Sequence, residues 1–189
     1  MITDEFWPTP IWRFDLGEID NSVILEDCFS ARNVDPGTQV SNGGGWQSIS
    51  RPVAQSSTNI KKLLWTIEHH LQPCCEAIGM RQPGRMGNYW ININGHKDFN
   101  YQHCHPGARL SGVYYVQAPK DSGNIVFPRA PLADYVYGTL NYRETRYNRP
   151  FAEYEPQQGQ VIVFPAELQH SVNANLTKEF RVSIAFNIS

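Results

Sequence analysis

His103 and His105 stand one residue apart in Tyr101-Gln102-His103-Cys104-His105-Pro106, and they are two of only six histidines in 189 residues. On an extended strand, residues two apart point to the same face, so this pair offers two imidazoles to one point. Neutral imidazole binds Fe, Zn, Cu and Ni. A solvated strand face could carry the same pair by chance, so the rest of the chain must supply a third ligand. His170 is the candidate, five residues beyond the strand-like run Gly159-Gln160-Val161-Ile162-Val163-Phe164-Pro165. Further on, Phe180 to Asn187 alternates: Phe180, Val182, Ile184 and Phe186 form an apolar face, and Arg181, Ser183, Ala185 and Asn187 face the other way. If that second face lines an interior, the buried guanidinium needs an anionic partner. No carboxylate lies at matching spacing on this strand. A ligand carboxylate would satisfy Arg181 bidentately, with Ser183 adding a hydroxyl; an Asp or Glu elsewhere in the chain would serve as well.

The elements that must position these residues are mainly strands. Trp90-Ile91-Asn92-Ile93-Asn94 alternates, and Leu110–Ala118, Asn124–Phe127, Gln160–Phe164 and Phe180–Ile188 are short runs rich in Val, Ile, Tyr and Phe. With Gly, Pro and Asn between them they predict a mainly β fold, a double-sheet jelly roll. Upstream, Phe6–Leu16 reads as a strand and Asn21–Ala31 as a helix capped by Asp20 or Asn21. Ser57–Gly79 is the strongest helix, with Ile60, Leu63, Leu64, Ile67, Leu71, Cys74, Cys75 and Ile78 on one face and Pro73 kinking or splitting it. These helices are expected on the outer face of the roll. The chain reads as one domain, 1–189, with an annex over 1–87 and the core over 88–189. The glycine-rich Ser41–Ser48 lacks the Lys-Ser/Thr of a phosphate loop and is read as a close backbone approach. His69 and His70 are read as surface or packing residues. The irregular insert from Pro128 to Pro156 holds Tyr135, Tyr137, Tyr142, Tyr147 and Tyr154 among balanced arginines and acids, and suits a lid.

Composition excludes some partners. A net charge of -2 gives no support for nucleic acid or an anionic membrane surface. No apolar run approaches a membrane span, and the acidic, proline-interrupted start is no signal peptide. Cys28, Cys74, Cys75 and Cys104 lack a repeated Cys-x-x-Cys spacing, so all four are expected as reduced thiols in a cytoplasmic protein.

His-x-His, then a distal His after a Gly–strand–Pro, then Arg-x-Ser about ten residues on, form an ordered set. In it the chain resembles the Fe(II)/2-oxoglutarate-dependent oxygenases, and most of all a family of small oxygenases of bacteria and marine phages. The resemblance runs through Phe6–Pro10, Asn42–Ser48, His103-Cys104-His105-Pro106, Ser111-Gly112-Val113-Tyr114-Tyr115-Val116, Phe164-Pro165, His170 and Arg181-Val182-Ser183. It implies a double-stranded β-helix in which His103 and His170 ligate Fe(II), while Arg181 and Ser183 hold the distal carboxylate of 2-oxoglutarate. Tyr115 (Tyr114 as the alternative) and Asn92 are implied as further cosubstrate contacts. The activity implied is hydroxylation driven by O2, with release of succinate and CO2, and no catalytic residue beyond the metal ligands. The prime substrate, a small molecule or a peptide, is not specified, and a homodimer is left open. A phage-encoded chain would work in the host cytoplasm.

One departure stands out: His105 occupies the position where the usual triad has Asp or Glu. Asp98 lies too far along to replace it without a bend. Three neutral imidazoles leave iron at +2 until the dianionic cosubstrate arrives, so weak binding of iron alone and strong coupling to 2-oxoglutarate are expected. Two other readings fit part of the set. A cupin-type three-histidine iron dioxygenase needs no 2-oxoglutarate, but Pro106–Leu110 lacks the expected glutamate and Arg181-Val182-Ser183 has no role in it. A non-catalytic jelly-roll binding protein would leave the converging histidines without purpose.

Overall fold

In the computed structural model, residues 5, 8–17, 19–129 and 143–189 are described. Among these residues, twelve strands form two facing sheets. The larger runs β1(Trp12–Asp15), β10(Gln160–Pro165), β7(Leu110–Gln117), β12(Arg181–Ile188), β5(Met86–Asn94) and β3(Trp46–Gln47), with β4(Arg51–Pro52) also on β5. The smaller runs β2(Asn42–Gly43), β6(Phe99–His103), β11(His170–Val172), β8(Ile125–Pro128) and β9(Phe151–Tyr154). Every pairing is antiparallel. This is the expected jelly roll.

Alternation along β5 and β12 divides the molecule into layers. Ile91, Ile93, Val182, Ile184 and Phe186 turn to one side of the larger sheet and join the core beneath the helices. Trp90, Asn92, Asn94, Arg181 and Ser183 turn to the other side and line the interior between the sheets. The helices cover the outer face, as expected. In α1(Asn21–Val34), Asp20 accepts the Ser22 amide and caps the first turn, and the helix buries Ile24 and Cys28. In α2(Thr58–His70), the Ser57 hydroxyl accepts the Ile60 amide, and Ile60, Leu63, Leu64 and Ile67 are buried. Each such side chain contributes about 1.5–3 kcal/mol through burial. Pro73 does split the long apolar run: α2 ends at His70, and the proline sits in the first turn of α3(Gln72–Ala77), where its missing N–H costs nothing. His69 and His70 are exposed and turn Nδ1 to the carbonyls of Trp65 and Thr66.

Residue 88 lies within β5, and upstream of it β1, β3 and β4 hydrogen-bond into the larger sheet. The glycine-rich segment makes the close approach expected of it. Gly44 and Gly45 both take positive φ, and a Cβ on Gly44 would stand 2.2 Å from Asp98 Oδ1. The insert is partly sheet, since β9 pairs with β8. Of the insert expected as a lid, residues 130–142, with Tyr135, Tyr137 and Tyr142, lie outside the described residues. Phe180 was expected on the apolar face of its strand; instead β12 starts at Arg181, and Phe180 is 38% exposed with its ring edge-on to Phe29. All four cysteines are unpaired. Among the described residues, no helix is long and apolar enough to cross a membrane.

Candidate metal centre

His103, His105 and His170 converge, with one ligand nitrogen of each lying within 4.8 Å of the others. His103 ends β6 and pairs directly with His170, which begins β11. His105 reaches the same point differently. It lies two residues past the end of β6, so a shared strand face does not explain it. Its backbone amide donates to the Ala166 carbonyl at 2.8 Å, and the following turn, with Gly107 at φ +91, holds it there. Asp98 is not in the cluster; its carboxylate accepts the Gly95 amide at 2.7 Å.

Strand β6 carries a bulge. Asn100 pairs with Val172 and His103 with His170, so β6 takes three steps where β11 takes two. A bulge re-aims side chains. Here it turns both Asn100 and His103 into the interior, although an odd separation on a regular strand would put them on opposite faces.

The two strand histidines share a local lock. Nδ1 of His103 is 2.7 Å from the Tyr101 carbonyl oxygen, and Nδ1 of His170 is 3.0 Å from that of Leu168. A carbonyl only accepts, so each Nδ1 carries the proton and each Nε2 presents a lone pair. Nε2 of His105 lies 3.3 Å from Nε2 of His170. Burial pushes the His170 pKa down to about 3, with the neighbouring His103 adding to it, and the His105 pKa down to about 4 for the same two reasons. Burial lowers His103 as well. All three rings are neutral at pH 7, as metal binding requires.

This depression has a sign in stability. The unfolded chain, with histidine pKa near 6.5, binds protons that the fold refuses. Metal-free protein therefore has this stabilisation in full above about pH 6.5 and loses it progressively as pH falls from there to the folded values. His170, 4% exposed, contributes a slope of about 1.4 kcal/mol per pH unit. Thermal melts with chelator at pH 8, 7, 6 and 5 should show a flat upper range and a fall below 6.5; a midpoint constant from pH 7 to 5 would contradict the buried neutral cluster.

The same cavity has a polar wall. Ser183 on β12 lies between Asn92 on β5 and Tyr115 on β7, and Arg181 pairs with Asn94. Arg181 is 1% exposed. Its Nη1 donates to the carbonyls of Ser122, Gly123 and Asn173, the last two at 3.2 Å. Gly123 leaves space for this: a Cβ there would stand 2.7 Å from Nη1 and 2.1 Å from the Asn173 oxygen. Nη2 is buried without a hydrogen-bond partner, and so is the Asn92 Oδ1. Among the described residues no carboxylate pairs with Arg181. Its pKa is lowered by burial, with Tyr115 and Asp98 opposing. Burial pushes the Tyr115 phenol up to about 12, so it is a neutral donor at pH 7. Tyr115 lines the cavity, whereas the Tyr114 hydroxyl donates to Asn21 Oδ1 at 2.8 Å in the helical layer. Three further lining residues, Ser41, Asn94 and Asn100, were not picked out from the sequence. Of these only Asn94 had a signal, the alternation shared with Asn92.

Three neutral imidazoles and a buried arginine with no ion-pair partner among the described residues form a donor set for a divalent metal and an organic anion. Residues 88–187, more than half of the chain, match a family described as "Putative 2OG-Fe(II) oxygenase". The chain belongs to this family. The protein is thus a 2-oxoglutarate- and Fe(II)-dependent oxygenase, an oxidoreductase that uses O2. No curated protein matches the oxygenase by sequence. Solved structures do match it in fold. A 2OG-Fe(II) oxygenase family oxidoreductase from Burkholderia pseudomallei is 17% identical, at TM-score 0.60 over 87% of this chain and 78% of its own. A prolyl-4-hydroxylase from Pseudomonas putida is 12% identical, at TM-score 0.66 over 95% and 92%. HygX from Streptomyces hygroscopicus, solved with nickel and 2-oxoglutarate bound, is 13% identical, at TM-score 0.63 over 96% and 83%. At these identities the likeness is one of fold, the double-stranded β-helix.

Proposed function

We propose that His103, His105 and His170 hold Fe(II), that Arg181, Ser183, Tyr115 and Asn92 hold 2-oxoglutarate, and that the enzyme hydroxylates a small molecule or a peptide. The observation that carries this is the buried, unpartnered Nη2 of Arg181 in the same cavity as the three imidazoles. A cosubstrate carboxylate would complete the guanidinium. Ser183, two residues along β12, and Tyr115, its register partner on β7, would donate to the same oxygens. A three-histidine dioxygenase working without a 2-oxoacid would leave this arginine unsatisfied.

Bound iron would supply O2 activation coupled to decarboxylation of 2-oxoglutarate to succinate and CO2. The chain's own part is to present three neutral rings, fix the cosubstrate and keep the site dry. Phe164 packs on His170 at 4.6 Å between centroids and Phe127 on Phe164 at 5.0 Å, so apolar rings cover that side of the centre. Outside Phe127 lies a cavity of about 760 Å³, whose wall includes Ile11, Phe151 and Leu168 and also Gln102 and Gln169, the chain neighbours of two ligands. Its size suits a drug-sized molecule or a few peptide residues, and we assign it to the prime substrate.

Anaerobic addition of Fe(II) and then 2-oxoglutarate should produce a visible metal-to-ligand charge-transfer band. Its absence from the wild-type protein would overturn this reading.

A further inference from the structure

His105 differs from the other two histidines in what holds it. Its Nδ1 has no hydrogen-bond partner among the described residues, while His103 and His170 each have a carbonyl two residues upstream. Its backbone is tied to Ala166, and the ring's polar contact among the described residues is Nε2 to His170 Nε2 at 3.3 Å, between the atoms that would turn to a metal. The ring lies among aromatic rings. Trp90 approaches it at 5.4 Å between centroids, tilted 45°, and Phe164 at 6.4 Å, tilted 39°, with His103 edge-on at 5.0 Å.

Trp90 reaches this position by the same alternation that buries Ile91 and Ile93 beneath the helices. Its neighbour in register on β12 is Ala185, which also lines the cavity and is small beside the indole. Phe164 also packs on Phe127 and His170, so it belongs to the hydrophobic wall. Trp90 belongs to neither buried apolar cluster.

We infer that Trp90 is a positioning residue for the third ligand: its indole face does for His105 what a carbonyl does for His103 and His170. This rests on the reading of His105 as a metal ligand. A ligand held by packing keeps its orientation only while the covering ring is present. Loss of an outer partner that orients a metal-bound histidine costs about 10- to 100-fold in metal affinity.

The test uses Co(II) as probe, without cosubstrate, on wild type, Trp90→Leu, Trp90→Phe and His105→Ala. Affinity comes from competition with a chelator, and coordination from the visible d–d spectrum. Trp90→Leu should bind Co(II) about 10- to 100-fold more weakly with an altered spectrum, and Trp90→Phe, which keeps a ring face, should stay within about threefold of wild type. Wild-type affinity and spectrum in Trp90→Leu, or equal loss in Trp90→Phe and Trp90→Leu, would overturn the inference. A second readout needs no truncation to an aliphatic side chain. Co(II) should quench tryptophan fluorescence in wild type, and Trp90→Phe should lose most of that quenching; unchanged quenching there counts against the inference. Failure of the underlying reading looks different: Co(II) binding would then survive in His105→Ala.

Discussion

Replacing Arg181 by methionine should abolish the charge-transfer band at ordinary cosubstrate concentrations while leaving the affinity for iron alone within a few-fold of wild type. Removing one partner of a desolvated charged pair costs about 2–5 kcal/mol, which is about 30-fold to several thousand-fold in 2-oxoglutarate affinity. Methionine is chosen because it fills most of the space without leaving a void. The ligand-free fold should not suffer in proportion. Among the described residues Arg181 is buried with Nη2 unpartnered and with no ion pair, and Tyr115 and Asp98 oppose only part of its burial, so without cosubstrate the guanidinium carries a net cost. Ligand-free Arg181→Met is relieved of that cost but leaves the Ser122, Gly123 and Asn173 carbonyls without their donor, so its melting temperature should fall modestly. A large drop in melting temperature, or cosubstrate binding that survives the substitution, would show that the arginine is a structural pillar and not the anchor.

The second large effect concerns charge. With three neutral imidazoles the iron keeps its full +2, which the cosubstrate dianion would cancel; an aspartate at position 105 would leave +1. His105→Asp should therefore tighten binding of Fe(II) alone and weaken the mutual reinforcement of iron and 2-oxoglutarate. A coupling change of about 1–3 kcal/mol corresponds to about 5- to 150-fold. It is read by measuring iron affinity with and without 2-oxoglutarate in both proteins. Wild-type iron affinity that ignores the cosubstrate would remove the basis for this prediction.

The alternation of β5 and β12 was legible in the sequence because one face of each packs under helices and the other lines the interior. Arg181 and Ser183 were therefore readable as a pair, while Asn92 was joined to them only by the family resemblance. The choice between Tyr114 and Tyr115 was not, since both are buried and only the layers tell which phenol meets Asn21. The strands β2, β3 and β4, two residues each, and β11, three residues, are too short for periodicity to register. Strand β9 was hidden inside an insert read as a loop. His105 was singled out for a reason the structure replaces: it lies beyond the strand, and a turn brings it back. Asn100 was unreadable because parity counted from His103 placed it outside, and nothing in the local residues announces a bulge.

That bulge has an evolutionary consequence. Strand β6 is written in two phases, one ending at Asn100 and the other containing His103. A one-residue deletion at Tyr101 or Gln102 would restore a regular ladder and leave His103 opposite His170. Asn100 would then stand two residues from His103, on the same face and still opposite Val172, so it would keep its place in the cavity. The spacing between these two residues is thus free to vary by one, and a lineage could gain or lose the extra residue while inheriting both the metal ligand and its polar neighbour in the cavity.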